Sequence, residues 1–556
     1  MSARTGLARN STDDGRGWAG MARESRPGRR APRHTYGAAV VGSLVTILLG
    51  YAVLDVADAA PGPLTLRPLP PPAPTEYVAK RTLPLVEQPT LPTSVEAPLP
   101  ALAGETAAPS ADGIDRALAA VRAMPALRDS ALVVRDGQSG EVLLDQRGDE
   151  LRIPASTTKL LSAAAIGRTF APDATLRTVV REGDTPDQIV LVAGGDSLLA
   201  PGKGDLQAVA GHAGLGDLAD QVASALEARG TRAVTLYVDE TYADGPTTAP
   251  TWGSTFRSSG ITGAVAMLGL SSQRARGGAP GPADPVLAVR TTFAGLLESR
   301  GVDVTVAARG RAPGVAGSPM PTPTTGPTPT TSGSDTATPD DGATSGDGSG
   351  DGSGTATPSA TAGARTQGPG AVLGSVTSAP VREQLALALT DSDNALTEIL
   401  ARQAAYRSGS ATDFAAVGSW VVSQVAALGL DTTGVTLSDA SGLSRENRVR
   451  ASLLSDVLVL GYDGKHPVLR RALDGLPIGG LTGTLAGRFT GPDHDAAGRA
   501  RAKTGTLTGA NALAGSVVDD DGRLLVFVGM VAGVGTNDAR AALDRLVATL
   551  ASCGCR

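Results

Sequence analysis

Ser156 stands three residues before Lys159 in the stretch PASTTKLLSAAA. Positions three apart on a helix share one face, with Cβ atoms roughly 5–6 Å apart, so the Lys159 amine can reach the Ser156 hydroxyl. A serine needs a base to become a nucleophile. A lysine serves only when neutral, which requires desolvation or a second cation nearby. Alone, the pair reads more simply, as a helix-capping serine and a solvated lysine. A second stretch, DSDNALTEIL, places Ser392 and Asn394 at a loop entering a helix, where a hydroxyl and an amide can project into one cleft. Alone, Asp391, Ser392 and Asp393 read as helix caps. A third, RAKTGTLTG, puts Lys503, Thr504, Gly505 and Thr506 on a strand, where alternation turns Lys503 and Gly505 one way and Thr504 and Thr506 the other. Gly505 is read as a point where a ligand approaches the backbone. Lys503 is read as the second cation that keeps Lys159 neutral. Glu398, one turn after Asn394, is read as solvated or helix-stabilising in preference to activating a water.

Other chemistries find little support. The histidines are His34, His212, His466 and His494, none in a triad-like setting, and the cysteines Cys553 and Cys555 form a Cys-Gly-Cys end piece to which no role is assigned. No metal or cofactor site is expected. GGDSLLAPGKG fails as a phosphate loop on spacing, since Lys203 is followed by glycine. A net charge of -6 over 556 residues gives no reason to expect nucleic acid. The only lysines are Lys80, Lys159, Lys203, Lys465 and Lys503, so two of them fall inside the stretches above.

The elements that must position these residues follow from the pattern along the chain. An Arg-rich arm over 1–35, carrying Arg26, Arg29, Arg30 and Arg33, precedes the uncharged run YGAAVVGSLVTILLGYAVL, residues 36–54. The run is long enough to span a bilayer and its basic flank sets the N-terminus in the cytoplasm. The alternative is a cleaved leader, because Ala57-Asp58-Ala59 fits a processing site. Either way the remainder is exported. A Pro-rich linker over 55–112 leads to the helix IDRALAAVRAM, the hairpin ALVVRDGQSGEVLLD and then Ser156. Residues 171–312 alternate strand and helix as an inserted α/β domain. Residues 313–370 hold almost no large apolar side chain and are read as a disordered, tolerated insertion. The C-terminal strands RARAKTGTL, ALAGSVVD and RLLVFVGMV, followed by a helix, make 113–170 with 371–556 an α+β domain whose sheet the early hairpin can complete.

Ser-x-x-Lys, Ser-x-Asn and Lys-Thr-Gly, once each and in that order, form the set found in penicillin-binding proteins and class A β-lactamases. With LVAGGDSLL, DASGLSRENRVRASLLSDVL and GLTGTLAGRF, the chain from about Ile114 to Leu550, the low-complexity tract excluded, resembles the low-molecular-mass penicillin-binding proteins of the D-alanyl-D-alanine carboxypeptidase and endopeptidase group that carry a large insert. The resemblance implies an α+β serine β-lactamase/transpeptidase-like domain. It implies Ser156 as the acylated nucleophile, Lys159 as its base, and Ser392 with Asn394 as proton relay and substrate-orienting pair. Lys503, Thr504 and Thr506 would face the substrate carboxylate, and the Ser156 and Thr506 amides would form an oxyanion hole. The implied partners are peptidoglycan stem peptides ending in D-Ala-D-Ala, β-lactams as covalent inhibitors, and the membrane through 36–54. A β-lactamase and a non-catalytic wall-binding sensor are the rivals. The intact Ser156, Lys159, Asn394 and Lys503 speak against the sensor, and the long α/β stretch between Lys159 and Ser392 against the lactamase.

Overall fold

The computed structural model describes residues 108–310, 312–313 and 370–556. The arm 1–35, the apolar run 36–54, the Pro-rich segment up to residue 107 and nearly all of the tract 313–370 lie outside them. No described helix is long and apolar enough to cross a membrane.

In chain order the main elements are α1 (Ala111–Arg122), β1 (Ser130–Asp136), β2 (Val142–Gln146), α2 (Thr158–Thr169), β3 (Arg177–Glu182), β4 (Gln188–Val192), α3 (Leu215–Glu227), β5 (Ala233–Asp239), α4 (Pro285–Glu298) and β6 (Asp303–Val306). After the low-complexity tract come β7 (Val372–Thr377), α5 (Val381–Asp391), α6 (Asn394–Arg407), α7 (Phe414–Ala426), α8 (Ala451–Tyr462), α9 (Pro467–Asp474), β8 (Ala500–Leu507), β9 (Ala510–Val518), β10 (Leu524–Ala532) and α10 (Thr536–Ala551). The Ser110 hydroxyl accepts the Gly113 N–H at 3.0 Å, so α1 starts inside the expected linker.

The first sheet runs β2-β1-β10-β9-β8 with every neighbour antiparallel, and the early hairpin completes it through β1 against β10. Its central strands are apolar on both sides because helices cover both faces. Leu513, Val517 and Phe527 face α1 and α10, whereas Ala512, Ala514, Val526 and Val528 face the group containing α2 and α5 to α9. Helix α2 lies inside that group and is buried continuously from Thr158 to Ile166. A helix apolar on nearly every side has nowhere else to go. Lys159 is carried inside with it.

The second sheet runs β6-β5-β4-β3-β7. Strands β4, β5 and β6 are parallel, connected through α3 and α4, while β3 lies antiparallel to β4 and to β7. The α/β alternation is therefore present, and two strands extend it beyond the sequence reading. Strand β7 follows the low-complexity tract yet pairs with β3, Arg177 opposite Thr377, which moves the expected domain boundary from residue 371 to after Thr377. The stretch VLGSVT carries too weak an apolar alternation to announce a strand whose partner lies far away in sequence. Cys553 and Cys555 form a disulfide, and the Cys555 carbonyl accepts the Ser110 N–H at 2.8 Å, tying the chain end to the start of α1.

Candidate active site

Ser156 sits half-buried in a tight 3-10 turn, Ala155–Thr157, immediately before α2. Ala155 has φ 48°, in the left-handed region, which costs a non-glycine residue about 1–2 kcal/mol. The turn persists because its surroundings fix it. The Thr157 and Thr158 hydroxyls donate to the Pro154 and Ala155 carbonyls at 2.7 and 2.8 Å. At Gly505 a Cβ would lie 2.7 Å from the Pro154 oxygen, and at Gly442, with φ +86°, it would collide with the Ala155 oxygen. The glycine of Lys-Thr-Gly thus admits the serine-bearing turn itself, which corrects the reading of Gly505 as a ligand approach.

Lys159 is fully buried at 0 % exposure. Its Nζ lies 3.2 Å from Ser156 Oγ, 2.5 Å from Asn394 Oδ1 and 2.7 Å from the Ser441 carbonyl. A neutral amine there donates two N–H groups to Asn394 and Ser441 and directs its lone pair at the Ser156 hydroxyl. An ammonium uses the same three oxygens as acceptors. Both protonation states fit one geometry. Burial lowers the Lys159 pKa to about 8, opposed by the Asp439, Glu398 and Asp393 carboxylates. Lys503 is also fully buried, donating to Ser392 Oγ at 2.9 Å and to the Thr504 carbonyl at 3.1 Å. Burial, then the charge of Lys159, pushes its pKa well below the usual lysine range. Desolvation is the leading cause at both amines, and the repulsion between the two cations, which each exerts on the other, adds to it.

Ser392 closes α5 in the left-handed conformation, φ 55°, and its hydroxyl meets Lys503. Of the three residues read as caps, Asp393 caps α6, accepting the Leu396 N–H at 2.9 Å. Arg274 braces this junction through Asp391 and Asp393, each at 2.9 Å. Asn394 is held from both ends, because its Nδ2 donates to the Ile261 carbonyl at 2.7 Å.

Glu398 is buried rather than solvated. Its carboxylate accepts the Ala440 and Ser441 N–H groups at 3.0 and 2.7 Å, and burial raises its pKa to about 7. Asp439, also buried, accepts the Gly442 and Ser444 amides, the Asn447 amide and the Trp252 indole. These two carboxylates shape the loop DASGLSREN so that the Ser441 carbonyl faces Lys159. The sequence reading placed Glu398 on the helix surface and missed Asp439, whose available signal was an acid opening a Ser/Gly-rich loop with no secondary-structure period of its own.

Ser156, Ser392, Thr504 and Thr506 line a cleft of about 430 Å³, joined by Thr484, whose hydroxyl pairs with that of Thr504 at 2.9 Å. The three sequence stretches thus converge, although Lys159 and Asn394 are 235 residues apart. Lys159, Asn394 and Lys503 stand behind the cleft, and Gly505 beneath the serine turn. Among the described residues no group of His, Cys, Asp or Glu is arranged to hold a metal.

A hydroxyl with an amine of lowered pKa beside it, at a cleft between a helical layer and an edge strand, defines a serine acyl-transfer enzyme of the penicillin-binding type. A model of the D-Ala-D-Ala carboxypeptidase 3 (S13) family matches residues 114–274 and 352–553. The carboxypeptidase DacB of Mycolicibacterium smegmatis is 33% identical over 536 residues, 95% of this chain and 98% of that protein. A carboxypeptidase of Mycobacterium tuberculosis is 31% identical over 482 residues, 84% of this chain and 90% of that one. The crystal structure of penicillin binding protein 4 from Haemophilus influenzae shares the fold, with a TM-score of 0.53 at 16% identity, covering 76% of this chain and 95% of that one. The chain belongs to the D-Ala-D-Ala carboxypeptidase 3 (S13) family and is a serine-type D-Ala-D-Ala carboxypeptidase.

If neutral Lys159 is the active form, acylation by a fluorescent penicillin should rise by about tenfold per pH unit at acidic pH and level off above about 8. Glu398→Gln keeps an acceptor for the two amides but removes a charge that favours the Lys159 ammonium. Its rate profile should move to lower pH. Stopped-flow labelling of both proteins would measure this, and identical midpoints would show that Glu398 does not bear on the amine.

Proposed function

We propose that Ser156 carries the acyl group and that Lys159 is its general base. The observation behind this reading is the buried amine shared by Ser156, Asn394 and Ser441. Lys159 takes the Ser156 proton as Oγ attacks the carbonyl carbon of the penultimate D-alanine. Negative charge then develops on the carbonyl oxygen, for which the Ser156 and Thr506 amides are the proposed donors. The proton held by Lys159 passes through the Ser392 hydroxyl, which is bonded to Lys503, to the departing nitrogen as the C–N bond breaks, so that terminal D-alanine leaves as a free amine and Lys159 is neutral again. Water, deprotonated by the same lysine, then hydrolyses the ester. Asn394 orients the substrate amide, and Thr504 and Thr506 receive the end of the peptide. The substrates are peptidoglycan stem peptides ending in D-Ala-D-Ala, with D-Ala cross-links as a second target, and β-lactams acylate the same serine. We further propose that the catalytic part is exported and tethered through residues 36–54, on the strength of the Arg-rich flank ahead of the apolar run.

Penicillin-treated protein should show a single mass adduct, on the peptide containing Ser156, persisting for minutes or longer. Ser156→Ala should show none. Lys159→Ala should slow acylation by roughly 10²- to 10⁴-fold, the usual range for loss of a general base, with its melting transition retained. An adduct on another residue, or undiminished labelling of Ser156→Ala, would contradict the assignment, while rapid penicillin turnover would favour the β-lactamase reading.

For the tether, membrane fractionation and N-terminal sequencing should find the intact N-terminus in the membrane fraction. A soluble chain beginning at Ala60 would replace the anchor by a cleaved leader.

A further inference from the structure

A peptide ending in a free carboxylate brings a full negative charge into the cleft. The resemblance assigns its counter-charge to Lys503. That amine, however, is fully buried, engaged with Ser392 and the Thr504 carbonyl, and is not among the residues that line the cleft. A carboxylate beside Thr504 and Thr506 therefore needs another cation. Two guanidinium groups line the cleft, those of Arg488 and Arg540. Arg488 is already paired, through Nε and Nη2, with Asp544 at 3.2 and 2.6 Å, and it lies over the Phe489 ring. Arg540 is exposed on α10 and makes no ion pair among the described residues. Its Nη2 stands 3.4 Å from Thr506 Oγ1.

We propose that Arg540 is a specificity-determining residue that receives the C-terminal carboxylate of the substrate, together with the Thr506 hydroxyl. The inference deepens the reading of Ser156 as the nucleophile acting on free peptide ends and rests on it. A guanidinium presents a planar fork of donors that matches a carboxylate, which a lone ammonium does not. Thr506 completes the arrangement, its oxygen accepting from Arg540 while its hydrogen turns to the substrate. Because Arg540 is exposed, the contact is screened by salt. Lys503 is then left to act on the proton relay through Ser392.

The test compares wild type, Arg540→Gln and Arg540→Lys on a peptide ending in D-Ala-D-Ala, on its C-terminal carboxamide, and on penicillin and its methyl ester. Loss of an exposed charge-assisted contact should raise KM for the acid by roughly 5- to 50-fold, with kcat within about threefold and little change for the carboxamide. Arg540→Lys should recover part of the loss, and added NaCl should raise KM for wild type but not for Arg540→Gln. Equal effects on acid and carboxamide, or none on the acid, would overturn the proposal. If wild type releases no D-alanine, the Ser156 reading of the function fails instead. The acid-against-ester difference in penicillin acylation then decides Arg540 by itself: slower acylation of Arg540→Gln by the acid alone supports it, and equal rates refute it.

Discussion

An amine removed from water inside a helical core is the constraint on which the rest of this structure depends. Burying a charged or polar group without partners is strongly unfavourable. Lys159 is tolerated because three oxygens surround it and because loss of its proton is itself a way to relieve the burial. Much of the surrounding sequence serves those three oxygens. The strained turn brings Ser156, Glu398 and Asp439 hold the loop that brings Ser441, and the Asp393 cap and Arg274 fix the helix start that brings Asn394.

The insert that carries the second sheet has a part in this that its position in the sequence would not suggest. Residues of the long stretch between the Ser-x-x-Lys and Ser-x-Asn motifs reach the site three times. Ile261 accepts from Asn394, Arg274 braces Asp391 and Asp393, and Trp252 donates to Asp439. Each contact ends on a group that in turn touches or shapes the surroundings of Lys159 or Ser392. The insert therefore acts as a wall of the candidate site, in addition to carrying its own apolar core.

The candidate site residues could be picked out because their chemistry is local: Ser156 and Lys159, Ser392 and Asn394, and Lys503 to Thr506 each form a short spaced unit. Their convergence came from the resemblance rather than from any period in the chain. Strands β8, β9 and β10 announced themselves through apolar runs and tight turns. What escaped was non-local. Glu398 looked like a surface residue of a helix until its two backbone partners, more than forty positions away, were in place. Gly505 reads as room for a ligand until the Pro154 carbonyl occupies that room. Strand β7 has a weak pattern and a distant partner. Arg540, exposed in an ordinary helix, carries no sequence mark of its own.

With Lys80, Lys159, Lys203, Lys465 and Lys503 the only lysines in the chain, the state of the central amine is open to direct observation. Nitrogen NMR of protein labelled at lysine Nζ, assigned by single substitutions and followed across a pH titration, should place Lys159 near 8, well below exposed lysines, which titrate at about 10.4. Titration of Lys159 together with the exposed lysines would show that its burial does not lower its pKa and would contradict the account.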